Sequence, residues 1–549
     1  MFHSCDPGKA SDRLCRHSGI YRRAGAVGSL LLLIAACAST SQASHPVTPI
    51  RDAAEPADAL FAGAYRQIHD YYLDPVTVET LALAGIAGLD SGTEGQSVDE
   101  VGGVVRLLDH GSERKRLPRP EADDAEGWAA VTAAAVSAAR TTDPALAGAT
   151  DEQIYRRIFD GITAKLDRFT RYAGIDAAHD QRASRDGFGG IGANFDYSQA
   201  EPRVTTLLPD GPAARAGVRS DDRVVAIDGV TTVGRDERDI TAKLAGRPGS
   251  RVSLALYRSQ SGRTIPAIIR RSLIIPMSVT AEREDGVAVF HVAGFNHDTA
   301  KSLAQNFTRL HGETGGVSGI VLDLRGNPGG LLDQAVDVAG LFLDGGVIVS
   351  EAGRHPTSVQ HFEANGRDVT HGLPLVVLVN GGSASSAEIV AAALQDTGRA
   401  VVVGSSSYGK GTVQMVVPLE NTGELTLTWA RLITPSGYIL HHHGIVPAFC
   451  TSGSVEGVVG DDADRVNGII ALGLHPALGV ARMPRASLSD SGWADLRQSC
   501  PTQTVRPALD LQIAKQLLKN PGLYAQALTL PGIAVAHDPD ASVVRSALQ

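Results

Sequence analysis

The sequence predicts an α/β multidomain protein in which a helical N-terminal region and a β-rich module precede an α/β core. Apolar residues recur at helical spacing within 59–92 and 150–172. Short runs of strand formers between glycine-rich turns fill 186–275. From 276 to 450, strand-like runs alternate with helical runs, which is typical of a layered α/β fold. We therefore expect four regions, which are 59–185, 186–275, 276–450 and 451–549.

The composition limits the classes of function. A chain of 549 residues should hold two to four domains, and 43% hydrophobic with 20% charged residues is ordinary for a soluble globular protein. The net charge of −10 argues against nucleic acid as a partner, because phosphate binding requires a basic face. Aromatic residues make up 5% of the chain, which argues against surfaces that stack on bases.

Residues 1–36 have the pattern of a secretory signal peptide. A basic stretch that includes Arg22 and Arg23 precedes the apolar run Ala24–Ala36. That run is too short to span a bilayer as a stable helix and matches the apolar centre of a signal peptide. Residues 37–58 are rich in Ser, Thr, Ala and Pro, which suits a tether.

The segment Ile34-Ala35-Ala36-Cys37 resembles a bacterial lipobox. The resemblance implies that Cys37 is the lipidation site and the first residue of the mature protein. It also implies a location in the bacterial cell envelope, in the periplasm, with a lipid anchor. Alanine rather than aspartate follows at position 38, which favours the outer membrane. The alternative is a plain cleaved signal with an incidental cysteine.

The five cysteines predict one disulfide and no structural metal. Cys5 and Cys15 lie in the part that is removed, and Cys37 is the lipid candidate. Cys450 and Cys500 remain, and an even pair in an exported protein indicates a disulfide. Such a bond would close a 50-residue loop and stabilise the fold by about 3–4 kcal/mol in the chain-entropy model. We find no zinc-ligand spacing, so no metal is expected.

The module at 186–275 contains a glycine-rich segment, a short helix start at Pro212–Ala216 and three strand-like runs. These features resemble a PDZ domain. PDZ domains capture a chain end by adding it to a sheet edge, while backbone amides hold the terminal carboxylate. The resemblance assigns peptide binding to Gly189, Gly190, Ile191, Gly192 and Ala193.

Ser385 is the candidate nucleophile of the core. It stands between the strand formers Leu375–Val379 and a helical run from Glu388 to Gln395. The unpaired amides and positive dipole end of such a helix favour a nucleophilic oxygen. A serine also needs a neighbour that takes its proton, and a buried neutral lysine can do this. Lys410, between two glycines and 25 residues further on, is the candidate base.

The segment Asp323–Gly330 follows a third strand-like run, Gly319–Leu322. Its glycines allow the backbone to turn with its amides exposed, which suits the binding of an oxyanion.

Together these residues resemble the carboxy-terminal processing proteases, also called tail-specific proteases, over about 60–450. The resemblance implies that Ser385 attacks the substrate, that Lys410 is the base and that Gln414 supports the lysine. If the stretch from Lys410 to Gln414 is a strand, the even spacing puts both side chains on one face. The family usually reads Ser-Ala-Ser-Ala-Ser-Glu where this chain reads Ser-Ala-Ser-Ser-Ala-Glu. Ser386 is therefore a second candidate nucleophile, although the spacing to Lys410 favours Ser385.

The resemblance implies a helical N-terminal region, a PDZ domain and a core of the ClpP/crotonase type, with no cofactor. The oxyanion hole would use the amide of Ser386 and that of Gly329 or Gly330. Residues 93–149 separate two helical segments that family members place close together, so we interpret them as an insertion with a helical hairpin around Trp128–Arg140. Expected partners are proteins with apolar C-terminal tails and an adaptor lipoprotein.

Three alternatives remain open. The catalytic fold also occurs in ligand-binding relatives without the nucleophile, so a non-catalytic peptide-binding protein is the second interpretation. A Ser-His-Asp triad could use His291 or His371 as its base. The run His441–His443 could bind a metal, although a strand would split the three side chains between two faces.

Overall fold

The computed structural model describes residues 57–90, 96–109, 111–452, 462–474, 488–505 and 508–528. The chain divides into the units Met1–Ala53 and Ala54–Gln549, and every described residue belongs to the second. The predicted signal peptide, Cys37 and nearly all of the predicted tether lie outside the described residues. No helix in the described part of the chain is both long and apolar enough to cross a membrane.

The N-terminal region mixes helices with a small sheet. Its elements are α1 (Ala57–Tyr71), α2 (Val78–Ala87), β1 (Gln96–Val101), β2 (Val104–Asp109), β3 (Ser112–Pro118), α3 (Ala125–Thr142), α4 (Pro144–Ala147) and α5 (Asp151–Thr163). Helical spacing places Phe61, Tyr65 and Ile158 in one core, where Trp128 of α3 joins them.

The helical hairpin expected around Trp128–Arg140 is instead the single long helix α3, and the first half of the 93–149 segment forms a small sheet. Strands β1, β2 and β3 form a three-stranded antiparallel sheet, and only α3 matches the helix expected around Trp128. The side chains of β3 are almost all exposed, so its sequence carries no alternation of apolar and polar residues. Backbone pairing with β2, rather than burial, defines this strand.

The next region contains the β-rich module. Its elements are β4 (Arg171–Ala173), α6 (Ile175–Asp186), β5 (Phe188–Gly190), β6 (Ala193–Asp196), β7 (Arg203–Leu207), α7 (Pro212–Arg215), β8 (Arg223–Ile227), β9 (Val230–Thr231), α8 (Glu237–Leu244), β10 (Arg251–Arg258), β11 (Arg263–Arg270) and β12 (Ser272–Ile274). One sheet has the order β11-β10-β8-β7-β6, with β9 paired to β8, so β6 is an edge strand. Strand β5 pairs separately with β12.

The core contains two sheets. Its elements are β13 (Val279–Glu284), β14 (Val287–Val292), α9 (Thr299–Gly312), β15 (Gly319–Asp323), α10 (Leu332–Gly340), β16 (Val347–Ala352), β17 (Gln360–Glu363), β18 (Leu375–Val379), α11 (Ser386–Asp396), β19 (Val401–Gly404), β20 (Thr412–Pro418), β21 (Glu424–Ile433) and β22 (Phe449–Cys450). The first sheet has the order β13-β14-β15-β18-β19-β22 and is parallel apart from β13. The second has the order β17-β16-β21-β20, with β4 paired to β21. Every residue of β15 and β18 is buried, as expected for parallel strands covered on both faces.

Among the described residues four helices follow the core, and the first, third and fourth of them cover one face of its first sheet. The four helices are α12 (Asp462–Leu474), α13 (Asp490–Ser499), α14 (Ala508–Lys519) and α15 (Pro521–Leu528). Apolar residues of α14 such as Ile513 and Leu517 pack against strand residues such as Val321 and Val376. Cys450 and Cys500 form a disulfide, with 5.7 Å between their Cα atoms.

We predict that Ile513→Ala lowers the free energy of unfolding by about 2–5 kcal/mol, because Ile513 is 0% exposed and the substitution leaves a cavity against the sheet. Urea unfolding followed by far-UV circular dichroism measures the change. The control is Val505→Ala at a side chain that is 66% exposed, which should stay within about 0.5 kcal/mol of the wild type. Equal midpoints for the two variants would contradict the packing described here.

Candidate active site

Ser385 lies in the turn between β18 and α11. Its φ of 56° and ψ of −117° place it in a left-handed conformation that serine rarely adopts. Neighbouring hydrogen bonds fix the turn: Ser383 Oγ donates to the carbonyl of Leu324 at 2.8 Å and accepts the Asn380 N–H at 2.9 Å. The turn therefore presents Ser385 at the N-terminal end of α11, where a developing negative charge is favoured.

The hydroxyl of Ser386, the second candidate nucleophile, is engaged in a structural hydrogen bond. It is buried, and its hydroxyl donates to the carbonyl of Gly330 at 2.9 Å. Both serines line the same cleft, but Ser385 is partly exposed, whereas the buried Ser386 uses its hydroxyl to support the neighbouring glycine loop.

Lys410 lies just before β20 and is partly buried. Burial lowers the pKa of its amine, the positive charge of Arg171 lowers it further, and the carboxylates of Asp167 and Glu388 oppose the shift. Its Nζ stands 5.2 Å from the centre of the Phe169 ring. Among the described residues no ion pair involves Lys410, so no carboxylate pins the amine in its charged form.

Ser385 and Lys410 line the same cleft, which has a volume of about 610 Å³. Gln414, Gly329 and Gly330 line it as well. Within the described part of the chain, no hydrogen bond joins Ser385 Oγ to Lys410 Nζ. Catalytic hydrogen bonds are often long in ligand-free proteins and shorten when substrate binds.

Glu388 is the residue that links the two candidate groups, and the sequence analysis gave it no role. Its Oε2 accepts the N–H of Ser385 at 2.8 Å and of Lys410 at 2.9 Å. Its Oε1 accepts the N–H of Gly409 at 2.7 Å and the hydroxyl of Ser407. Burial raises the pKa of Glu388, whereas these four hydrogen bonds lower it. The only sequence signal was its place three residues after Ser385.

Gln414 lies in β20 and lines the same cleft as Lys410. The strand begins at Thr412, after the lysine, and its register shifts between Val413 and Gln414. Lys410 therefore lies outside the strand, so the even spacing does not place its side chain on one strand face with that of Gln414. Gln414 Nε2 donates to Thr412 Oγ1 at 2.8 Å and to Thr428 Oγ1 at 3.2 Å.

The two glycines considered for the oxyanion hole differ in the use of their amides. The N–H of Gly329 donates to Asn327 Oδ1 at 2.8 Å, so it is already engaged. Two hydrogen bonds join this loop to Phe295: the Phe295 N–H donates to the Gly329 carbonyl, and the Leu331 N–H donates to the Phe295 carbonyl. Neither bond uses the N–H of Gly330. Gly329 has a φ of 102°, and a Cβ there would stand 2.8 Å from Ser385 Cβ.

Asp323 has a structural partner. Arg325 donates to both of its oxygens, at 2.9 and 2.8 Å, and to Asp510 Oδ2 at 3.0 Å. All three side chains are buried. This network joins the end of β15 to helix α14 and fixes the start of the glycine loop.

A second groove, of about 660 Å³, lies between the edge strand β6 and helix α8. Its lining is largely apolar and includes Phe195, Leu207, Leu244 and Ile274. Of the five predicted peptide-binding residues, four line this groove and one does not. The four are Gly190, Ile191, Gly192 and Ala193, and the exception is Gly189, whose carbonyl accepts the N–H of Gly246 at 2.9 Å.

The short segment Pro276–Met277 lines both the groove and the cleft. The Met277 side chain is 71% exposed. The two concave surfaces are therefore neighbours along the chain and share a wall.

The histidines that could have served other mechanisms lie outside the cleft. His291 Nδ1 stands 3.7 Å from Asp323 Oδ2. Burial lowers the pKa of His441 to about 4, and the His443 ring stacks on Trp493 with 4.6 Å between centres. Among the described residues, no group of three or more His, Cys, Asp or Glu side chains could hold a metal ion.

Comparison with known proteins fits this arrangement. Residues 286–449 match Peptidase family S41, and residues 203–258 match the PDZ domain. The carboxy-terminal-processing protease of Bartonella bacilliformis is 36% identical over 300 residues, which cover 54% of this chain and 69% of the relative. The chain belongs to the carboxy-terminal processing proteases of family S41.

A second relative supports the same assignment, and one solved structure is similar over most of the chain. CtpA of Bacillus subtilis is 33% identical over 261 residues, which cover 47% of this chain and 55% of the relative. The solved structure of the photosystem II D1 C-terminal processing protease is 25% identical, with a TM-score of 0.37 and coverage of 77% of this chain and 99% of that chain. As a family member, the chain is a serine-type peptidase with a PDZ domain.

We predict that Glu388→Gln lowers kcat by roughly 100-fold. An amide nitrogen cannot accept the two hydrogen bonds that one carboxylate oxygen receives, so the loop that carries Lys410 would shift relative to Ser385. Steady-state cleavage of a peptide measures the change. Ser407→Ala removes one of the four donors and should cause a smaller loss. A wild-type kcat for Glu388→Gln would show that this carboxylate does not position the site.

Proposed function

We propose that this protein is an exported endopeptidase that uses Ser385 and Lys410 as a dyad to cleave proteins near their C-termini. The observation that carries the proposal is the placement of both side chains in one cleft, with the lysine partly buried and free of ion pairs among the described residues. A lysine in such a site can be neutral at a pH where a solvated lysine is charged.

The reaction begins with proton transfer from Ser385 Oγ to Lys410 Nζ. The serine oxygen forms a bond to the scissile carbonyl carbon, and the charge on the carbonyl oxygen is held by the N–H groups of Ser386 and Gly330. Lys410 then gives its proton to the leaving amine as the C–N bond breaks. Water attacks the resulting ester with Lys410 again as base, which releases the acid and restores Ser385.

Gly330 suits the oxyanion role better than Gly329 because the amide of Gly329 is already bonded to Asn327. Gly329 serves instead to let the loop approach the nucleophile, since a side chain there would collide with Ser385. Loss of one oxyanion donor typically raises the barrier by about 3 kcal/mol.

The PDZ domain would hold the substrate by its C-terminal tail. A tail that pairs with the edge strand β6 places its apolar side chains in the groove beneath α8. The shared wall at Pro276–Met277 supports a path from this groove towards the cleft.

The location in the cell envelope is part of the same proposal. The disulfide between Cys450 and Cys500 supports an oxidising compartment. Residues 1–36 would direct export. Cys37 would anchor the protein, located in the periplasm, to the outer membrane. An adaptor lipoprotein would deliver substrates with apolar tails.

We predict that Ser385→Ala and Lys410→Met abolish cleavage of a tailed protein, followed by mass spectrometry, whereas Ser386→Ala keeps a measurable rate because the Ser386 amide remains. A non-catalytic peptide-binding protein would give no cleavage in the wild type either. Equal cleavage by all variants would remove the dyad from the mechanism.

We predict that kcat/KM rises with pH through a single limb whose midpoint lies below the ordinary lysine pKa of about 10.4. Burial lowers the pKa of Lys410, and only its neutral form accepts the serine proton, so activity appears as the amine loses its charge. Lys410→Arg stays charged throughout and should be inactive at every pH. A rate that falls as pH rises from 6 to 9 would contradict a lysine base.

We predict that the Ser385→Ala protein binds a peptide with an apolar last residue and a free carboxylate at least roughly tenfold more tightly than the same peptide with a C-terminal amide. Isothermal titration measures both affinities. A peptide that ends in aspartate provides the matched control and should bind weakly, because the groove lining is largely apolar. Equal affinities for all three peptides would exclude recognition of the tail end.

A further inference from the structure

Arg497 extends from helix α13 to the back of the loop that carries Lys410. Its Nη1 donates to the carbonyl of His443 at 2.6 Å. Its Nη2 donates to the carbonyl of Ser407 at 2.9 Å and to Thr502 Oγ1 at 3.2 Å. A single guanidinium therefore holds two loops of the core together, and it comes from outside residues 286–449, which match the peptidase family.

The guanidinium also lies close to the buried carboxylate of Glu388. A Cβ at Gly444 would stand 2.8 Å from Arg497 Nη1 and 3.1 Å from Glu388 Oε1, so both groups border the same point. Glu388 is 0% exposed, and among the described residues it takes part in no ion pair. A fully buried charge without a compensating charge is costly, and Arg497 supplies a nearby positive charge.

Helix α13, which carries Arg497, is held in place by a disulfide and by aromatic contacts. Cys500, three residues after Arg497, is bonded to Cys450 at the end of the first core sheet. Trp493 is buried against Tyr438, with 4.8 Å between ring centres, and stacks on His443. The arginine therefore projects from a fixed support.

We propose that Arg497 is a positioning residue for the Ser385–Lys410 dyad. It fixes the Ser407 carbonyl, the Ser407 hydroxyl bonds Glu388, and Glu388 bonds the amides of Ser385 and Lys410. The inference rests on the proposed function and adds a C-terminal segment to the machinery that sets the distance between nucleophile and base. Arg497 does not line the cleft, so it acts on the chemical step and not on substrate binding.

The test compares Arg497→Gln and Arg497→Lys with the wild type in steady-state cleavage of a peptide by the full chain. For Arg497→Gln we expect kcat to fall roughly 10- to 100-fold, with KM within about twofold of the wild-type value. Lysine keeps the positive charge but lacks the planar guanidinium that bonds both carbonyls at once. Arg497→Lys should therefore have a kcat between those of Arg497→Gln and the wild type.

Arg399→Gln is the matched control. Arg399 stands just beyond the opposite end of α11 and donates to the Phe342 carbonyl, to Asp368 and to Thr370 Oγ1 at 3.0, 3.0 and 2.8 Å. Its loss should lower the melting temperature and leave kcat unchanged. A general effect of lost arginine contacts would instead lower kcat in both proteins to the same extent, and that result would overturn the proposal.

The remaining outcomes separate this inference from the dyad itself. If Ser385→Ala still cleaves, the proposed function fails, whatever Arg497 does. If the wild type cleaves, Ser385→Ala does not and Arg497→Gln has a wild-type kcat, only the positioning role fails. Should Arg497→Gln not fold, Arg497→Lys decides: a reduced kcat at unchanged KM supports the role, and a wild-type kcat overturns it.

Discussion

One buried carboxylate sets the geometry of this site. Glu388 bonds the amide of Ser385 and the amides of Gly409 and Lys410 at the same time, although these residues belong to two different loops. A carboxylate can accept four such bonds, and its burial makes each of them stronger than it would be in water. The strained turn at Ser385 persists because this anchor and the Ser383 bonds over-determine it.

The apolar groove of the PDZ domain and the cleft are joined by one short stretch of chain. Strand β6 leaves one sheet edge unpaired within its module, and the glycine loop before it turns the chain towards β12. After β12 the chain passes through Pro276–Met277, which borders both concave surfaces, and enters the core. The groove therefore lies beside the cleft.

The sequence predicted those parts of the molecule that leave local patterns. The buried strands β15 and β18 were visible as apolar runs, and the glycines around Ser385 and Lys410 marked turns. Strand β3 was missed because its exposed charged residues have no alternation. The roles of Glu388 and Arg497 could not be inferred from the sequence, because each depends on groups that only the folded chain brings together. The strand face expected to hold both Lys410 and Gln414 was wrong because β20 begins only at Thr412, after the lysine.

Helices α12, α14 and α15 determine whether the peptidase segment can be expressed without the rest of the chain. They cover the face of the first core sheet that carries Val287, Val321 and Val403. The segment 286–449, which matches the peptidase family, ends before all of them. Expressed alone, that segment would expose a broad aliphatic surface to water, and we expect it to aggregate.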